Sequence, residues 1–229
     1  MGVESVFPRT VFSIGPVPIS DTVLHTWIVV LALIGLAWWA HRRFRVWEPR
    51  TWQLAIEYLV DYVETLVVDS GGRAWPELVS YLTTMIAFIA IANLLGLAPV
   101  LQSPTRDLNT TAALSIVSLV STHYFAARKN GLRANLRRFI EPVALLLPLN
   151  LMGEFSRVIS MALRLFGNVV ASEIVAAVMF MLVPLFSPLL LNMLGMITGV
   201  LQALVFMFLT LVFTLDAMGS DEPETGKEI

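Results

Sequence analysis

Four charged side chains interrupt a long apolar stretch in the second half of the sequence. Glu154, Arg157, Arg164 and Glu173 lie among apolar neighbours within residues 142–184. A charge at the middle of a bilayer costs on the order of 2.5–3.5 kcal/mol on insertion scales, and such residues face protein or water. These side chains are therefore candidates for a functional site.

Helical spacing separates the four charges into two directions. Arg157 and Arg164 are seven residues apart and Asn168 follows four residues later, so the three share one helical face. Glu173 lies about 180° around the helix from Arg164 and roughly 13.5 Å along its axis. Glu173 is therefore not an intrahelical partner of Arg164, and the two charges suit separate aqueous environments.

Each charge also has a simpler interpretation. Arg164 could be a buried packing residue that donates to carbonyl groups, and Arg157 could extend its side chain to the membrane interface. Glu154 could pair with Arg157 at i, i+3, which is the interpretation that we favour for it. Glu173 could be a solvated charge near the end of a span.

Two stripes of small and polar residues add further candidates. Each stripe falls on one helical face: Asn192, Gly195, Gly199 and Gln202, and Thr111, Ser115, Ser118 and Thr122. Gly195 and Gly199 form a G-x-x-x-G pair, which permits close approach of helices. The hydroxyl stripe either lines water or holds helices together. We expect the side chain of Asn93 to form a hydrogen bond between two helices.

Composition limits the class of protein. The chain has 229 residues, of which 57% are hydrophobic and 14% charged. A soluble domain has about 25% charged residues, so the sequence predicts a polytopic α-helical membrane protein. The net charge of -2 gives no nucleic-acid footprint. There is no cysteine, the three histidines are scattered, and no metal site or cofactor is expected.

The apolar runs predict an all-α fold with five transmembrane helices and one amphipathic surface helix. The expected spans are residues 22–40, 77–97, 108–127, 142–184 and 188–216, with the surface helix at 49–69. The stretch 142–184 is far longer than a perpendicular crossing needs, so it must tilt strongly or lie partly along the membrane. We expect residues 1–217 to form a single membrane domain and residues 218–229 to form a polar tail.

Charge patterning orients these elements. Glu57, Asp61 and Glu64 give the surface helix an acidic face, so it is more suited to protein than to anionic lipid. Basic residues follow the first and third spans: Arg42, Arg43, Arg45, Arg50, Arg128, Lys129, Arg133, Arg137 and Arg138. The positive-inside rule then places the N-terminus outside and the C-terminus in the cytoplasm.

The sequence around Arg164 resembles a known signature. Leu163-Arg164-Leu165-Phe166-Gly167-Asn168, followed by Glu173, is similar to the motif of subunit a of F-type ATP synthases, the membrane stator that faces the rotating c-ring. The resemblance covers roughly residues 20–217. The match is extended by further segments: Asn93–Leu97, Pro104, Asp107–Asn109, Thr111, Pro148–Leu151, Glu154–Arg157, Ile159–Ser160 and Leu201–Met207. The resemblance also implies that the last two helices form a long, strongly tilted pair against the ring.

The resemblance implies roles for individual residues. Arg164 would meet the ion-carrying carboxylate of each c-subunit, with Asn168 and Gln202 beside it, and Glu173 would be the acid of the outer half-channel. Asp107 and Asn109 would lie at the entrance of that half-channel, and Arg157 and Glu154 are possible supporting residues. At the position where many members carry a His or Glu partner for the half-channel acid, this sequence has Gly195. Either Glu173 works alone with water or another residue compensates.

The same resemblance implies the protein's setting. The chain would not be an enzyme on its own but a subunit of an H⁺- or Na⁺-transporting ATP synthase in the bacterial inner membrane. Its partners would be the c-ring, b-type stator subunits and membrane lipid, with no nucleic acid and no cofactor. The alternative is an ion-coupled secondary transporter or channel in which Arg164 binds an anionic group. An intramembrane hydrolase is disfavoured because neither G-x-S-x-G nor H-E-x-x-H occurs.

Overall fold

The structure is a computed structural model. It describes residues 10–14, 17–44, 50–70, 75–96, 103–133, 135, 137, 147–182 and 187–219. Within these ranges there are six long α-helices: α1 (Asp21–Arg43), α2 (Thr51–Asp69), α3 (Pro76–Leu95), α4 (Leu108–Asn130), α5 (Leu147–Leu182) and α6 (Ser187–Met218). A 3₁₀ turn, Pro104–Arg106, precedes α4.

The all-helical membrane fold class is confirmed, with one addition. Strands β1 (Thr10–Ile14) and β2 (Val17–Ser20) form a short antiparallel hairpin before α1, which the sequence patterns did not predict. Pro148 lies in the first turn of α5, where proline is favoured because its missing N–H has no helical partner there. Some predicted boundaries lie outside the described residues, namely 97, 142–146, 183–184 and the tail beyond 219.

Four helices are long and apolar enough to cross a membrane: Asp21–Arg43, Pro76–Leu95, Leu147–Leu182 and Met193–Met218. At 1.5 Å per residue, the 36 residues of α5 are about 54 Å long and the 32 residues of α6 about 48 Å. Both exceed the hydrocarbon thickness of about 30 Å. The hydroxyl-rich α4 is long enough to cross but is not among these four apolar helices, so the count of five spans stays a prediction.

The α2 helix has the amphipathic pattern expected of it. Its buried residues are Gln53, Val63 and Val67, while the acidic residues Glu57 and Glu64 are exposed. The buried positions recur at helical spacing and form the inner face of the helix.

The chain divides into two compact units, each assembled from parts of several helices. The first contains the described residues up to Phe44, Met85–Ile116 and Arg157–Phe206. Its core includes Ile89, Leu165 and Phe206, each at most 1% exposed. Long apolar side chains on α1 and α5 remain exposed, as lipid-facing or partner-facing surfaces do.

The second unit contains Arg45–Thr84, Val117–Ser156 and the chain from Met207 onward. Two pairs of buried hydroxyls join α4 to α6 within it. Ser118 Oγ lies 2.8 Å from Thr210 Oγ1, and Thr122 Oγ1 lies 3.2 Å from Thr214 Oγ1. At Ser118 and Thr122 the hydroxyl stripe therefore holds two helices together, which was one of the two alternatives for it.

Candidate functional site

Arg164 lies on the outer surface of α5. Its side chain is exposed, and so are the apolar neighbours Ile159 and Leu163. None of the described residues forms an ion pair or a hydrogen bond with it. Arg164 is therefore an exposed cation on a helix that also exposes apolar side chains, and none of the described residues supplies its counter-charge. A guanidinium in this setting is available to an anionic group that approaches from outside the chain.

Asn168 and Gln202 are two polar residues of the first unit, on α5 and α6 respectively. Asn168 follows Arg164 by one helical turn on α5. Its Nδ2 atom donates to the carbonyl oxygen of Thr198 on α6 at 3.5 Å. Gln202 is only 9% exposed, and its Nε2 atom has no hydrogen-bond partner among the described residues. A buried donor without a partner costs about 1–3 kcal/mol. Gln202 thus keeps one donor available for water or for another polar group.

Glu173 lines a small cavity in the first unit, where apolar surface is combined with several polar side chains. The cavity has a volume of about 90 Å³, which is room for several water molecules. The Glu173 side chain is 31% exposed, and its Oε2 atom lies 3.8 Å from Nη1 of Arg106. The polar side chains that line the cavity are Asn93, Ser103, Asn168, Ser172, Glu173 and Thr198. Because Gly195 and Gly199 also line it, the cavity lies against the small-residue face of α6.

A network of buried hydrogen bonds forms one side of the cavity. Asn93 Nδ2 donates to the carbonyl oxygen of Gly199 at 2.9 Å, and its Oδ1 accepts from Thr105 Oγ1 at 2.7 Å. Ser103 Oγ lies 2.6 Å from Thr105 Oγ1 and donates to the carbonyl oxygen of Ala92. The prediction that Asn93 bonds between helices is confirmed.

Asp107 and Asn109 occur at the start of α4. Asp107 is 5% exposed, and its Oδ1 accepts from the backbone N–H of Asn109 at 2.9 Å. Its Oδ2 accepts from Thr22 Oγ1 of α1 at 2.7 Å. Asp107 therefore caps α4 and ties it to α1, whereas Asn109 is exposed. The structure gives Asp107 an anchoring role.

Glu154 and Arg157 are both half-buried on α5. Among the described residues there is no group of three or more His, Cys, Asp or Glu side chains placed to hold a metal ion. The groups around the cavity and Arg164 are thus one exposed cation, a half-buried carboxylate with the buried cation Arg106 beside it, and several amides and hydroxyls. This set can exchange protons or neutralise a carboxylate.

Comparison with known proteins identifies the family of the chain. Residues 23–214 match the sequence profile of the ATP synthase A chain family. The chain belongs to the ATP synthase subunit a family. A relative from Pelobacter propionicus, ATP synthase subunit a 2, is 36% identical over 93% of both chains. ATP synthase subunit a 1 of Crocosphaera subtropica is 34% identical over 91% of both chains. The subunit a of Moorella thermoacetica is 34% identical over 91% of this chain and 95% of its own.

Membership in the subunit a family fixes the broad setting of the molecule. It is an integral membrane protein and a component of a multisubunit complex that makes ATP, and it is not the catalytic subunit of that complex. Ion transport and transmembrane helices belong to the same description.

Sequence reasoning did not identify every residue around the cavity of this subunit a. Ser103 and Thr105 were only loop residues in the sequence, and Arg106 was only a loop cation. The nearby Pro104 and the following Asp107 signal a turn and a helix start, but nothing local indicates that Arg106 contacts Glu173. That contact arises from tertiary structure alone.

Proposed function

We propose that this chain is the ion-translocating stator subunit of an F-type ATP synthase, with Arg164 as the residue that meets the ion-carrying carboxylate of each c-subunit. The observation that carries the proposal is the exposed position of Arg164 on the apolar surface of α5. A ring of apolar c-subunit helices would cover that surface, and a rotor carboxylate would supply the missing counter-charge.

The chemistry follows from charge and solvation. A guanidinium keeps its proton at all physiological pH values, so Arg164 is a permanent positive charge. A carboxylate that arrives opposite it is stabilised in its ionised form and releases its ion. Before the carboxylate enters lipid again it must be neutralised, because a bare charge there is costly. A membrane potential contributes about 2.3 kcal/mol per charge per 100 mV to this cycle.

Two half-channels would connect the rotor site to opposite sides of the membrane. Glu173 lines the cavity, which supports its assignment to the outer half-channel. Asn168 would lie beside Arg164, one helical turn further along α5. Asn109 would lie at the entrance of the outer half-channel with Asp107, and the unpaired amide donor of Gln202 supports a position beside the rotor site. Arg164 would block direct ion passage between the half-channels. Glu154 and Arg157 would be supporting residues in the N-terminal half of α5.

The proposal also fixes location and partners. We place the subunit in the bacterial inner membrane with its N-terminus outside and its C-terminus in the cytoplasm, as a single membrane domain of residues 1–217 with five spans. The basic residues that end α1 and α4 support this orientation. The partners would be the c-ring and b-type stator subunits, and the transported ion would be H⁺ or Na⁺.

Replacement of Arg164 tests the central assignment. In sealed inverted membrane vesicles that contain the whole complex, Arg164→Ala should abolish ion-driven ATP synthesis while assembly stays near normal. The matched control is Arg42→Ala, which removes an exposed arginine that stacks on Trp38 at the end of α1. Normal ATP synthesis by Arg164→Ala, or ion flux through the chain alone in liposomes, would contradict the proposal.

Replacement of Glu173 tests the outer half-channel separately. Glu173→Gln should slow proton-driven ATP synthesis without abolishing it, because the amide keeps the size of the side chain but cannot carry a proton. Rates are measured over a range of pH values and normalised to the amount of assembled complex. An unchanged rate at every pH would remove Glu173 from the ion path and leave the role of Arg164 intact.

A further inference from the structure

The turn that carries Arg106 is held in place on both sides of this residue. Thr105 donates to Asn93 Oδ1 at 2.7 Å, and Asp107 accepts from Thr22 and from the N–H of Asn109. The backbone N–H of Arg106 itself donates to the carbonyl oxygen of Ser103 at 3.1 Å. Because neighbours on both sides are anchored, the direction in which the Arg106 side chain leaves the turn is fixed.

Arg106 reaches Glu173 from this turn. The arginine is only 6% exposed, and its Nη1 atom lies 3.8 Å from Glu173 Oε2 on α5. A guanidinium removed from water is costly unless it is close to negative charge or to hydrogen-bond acceptors. Burial of Arg106 against a half-buried carboxylate is thus a specific arrangement, unlike an exposed surface pair.

The opposite wall of the cavity offers Glu173 no charged partner. On α6 the cavity is lined by four residues without charge: Leu191, Gly195, Thr198 and Gly199. Among the described residues that line the cavity, Glu173 alone is charged. Gly195 has no side chain with which to bind a carboxylate. The cation that Glu173 meets therefore comes from the turn before α4.

We propose that Arg106 is the positioning residue for Glu173: from the anchored turn it holds the carboxylate at the cavity and stabilises its negative charge, a task for which α6 provides no side chain at Gly195. The inference rests on the proposed role of Glu173 in the ion path. Arg106 does not transfer the ion, since a guanidinium does not release its proton. It acts through the carboxylate that does.

The test uses the whole complex in sealed inverted vesicles and measures ion-driven ATP synthesis per assembled complex. Arg106→Ala should lower the rate about tenfold, within the range expected for residues in direct contact. Arg106→Lys keeps the charge and should retain most of the rate. The control Arg128→Ala removes an exposed arginine that pairs with Glu77 and does not line the cavity. It should match the wild type.

A double-mutant cycle separates positioning from simple structural support. Arg106→Ala combined with Glu173→Gln should be no slower than Glu173→Gln alone, because the arginine then has no carboxylate to position. If Arg106→Ala prevents assembly, Arg106→Gln replaces it in every comparison, since glutamine keeps a long side chain without the charge.

Two results would overturn the inference. One is a wild-type rate for assembled Arg106→Ala complexes while Glu173→Gln is slow. The other is a further tenfold loss when Arg106→Ala is added to Glu173→Gln. A wild-type rate for Glu173→Gln alone would instead contradict the proposed role of Glu173, so failure of the inference and failure of the function give different results.

Discussion

Gly199 lies at a close contact between α6 and α3 in the first unit. A Cβ atom built at Gly199 would lie 3.0 Å from the Cβ atom of Asn93, whereas ordinary contacts are 3.4–4 Å. The same Asn93 donates to the Gly199 carbonyl and accepts from Thr105. Gly199→Ala must therefore push Asn93 away by at least about 0.4 Å and distort both hydrogen bonds, so we expect it to destabilise the fold.

The magnitude follows from two opposing contributions. Alanine is better than glycine in a helix by about 1 kcal/mol, which favours the variant. Crowding in a packed interior costs about 1–3 kcal/mol, and weakening two hydrogen bonds adds about 1 kcal/mol. Gly153 of α5 is a matched control, because a Cβ there meets nothing within 4 Å. The helix contribution then cancels, and Gly199→Ala should be less stable than Gly153→Ala by about 2–4 kcal/mol.

The comparison is made by titrating the detergent-solubilised chain with SDS and following helix content by circular dichroism. The free energy of unfolding is obtained for the wild type and for both variants under identical conditions. Equal stability of Gly199→Ala and Gly153→Ala would refute the reasoning, because it would mean that α6 and α3 are not in close contact at this position.

Three further predictions concern α4. Ser118→Ala and Thr210→Val should each lower the free energy of unfolding by about 1 kcal/mol. The double variant should lose less than the sum of the two, because both substitutions remove the same hydrogen bond. Strict additivity in the SDS titration would argue against this bond. Asp107→Ala should lower the stability of the fold by about 1–2 kcal/mol, because the helix cap of α4 is lost. Asp107→Asn should lower it less, because asparagine also caps helices. Thermal denaturation compares the two variants, and equal losses would contradict the cap. Single cysteines at Asn109 and Asn130, in a chain that has none, should react with impermeant maleimide from opposite sides of the membrane; labelling from the same side would contradict five spans.

The helices were predictable because each follows from a local pattern. The predicted first span, 22–40, became Asp21–Arg43 because the helix continues through its basic end, where Arg42 stacks on Trp38 at 4.0 Å. The surface helix, predicted at 49–69, begins at Thr51 and ends at Asp69. The β-hairpin was missed because its strands carry no strict alternation of apolar and polar residues.

The site was predictable only where one helix determines it. The helical repeat placed Arg164 and Asn168 on the same face without any knowledge of the fold. The contact between Arg106 and Glu173 joins a turn to a distant helix, and the bond from Thr22 to Asp107 spans 85 residues. No periodicity in a single sequence reports such pairs. The sequence does show one feature of this region, since Gly195 has no side chain with which to bind the carboxylate of Glu173.

The low hydropathy of α4 has a physical explanation that favours its crossing the membrane. Its polar character comes from hydroxyl side chains, and a buried hydroxyl is costly in an apolar environment only when it has no hydrogen bond. Ser115 donates to the carbonyl of Thr111, while Ser118 and Thr122 meet threonines of α6. Per-residue hydropathy counts these groups as if they were unsatisfied, so it underestimates this helix. With 23 residues, or about 34 Å, α4 is long enough to cross, and its satisfied hydroxyls remove the main energetic objection.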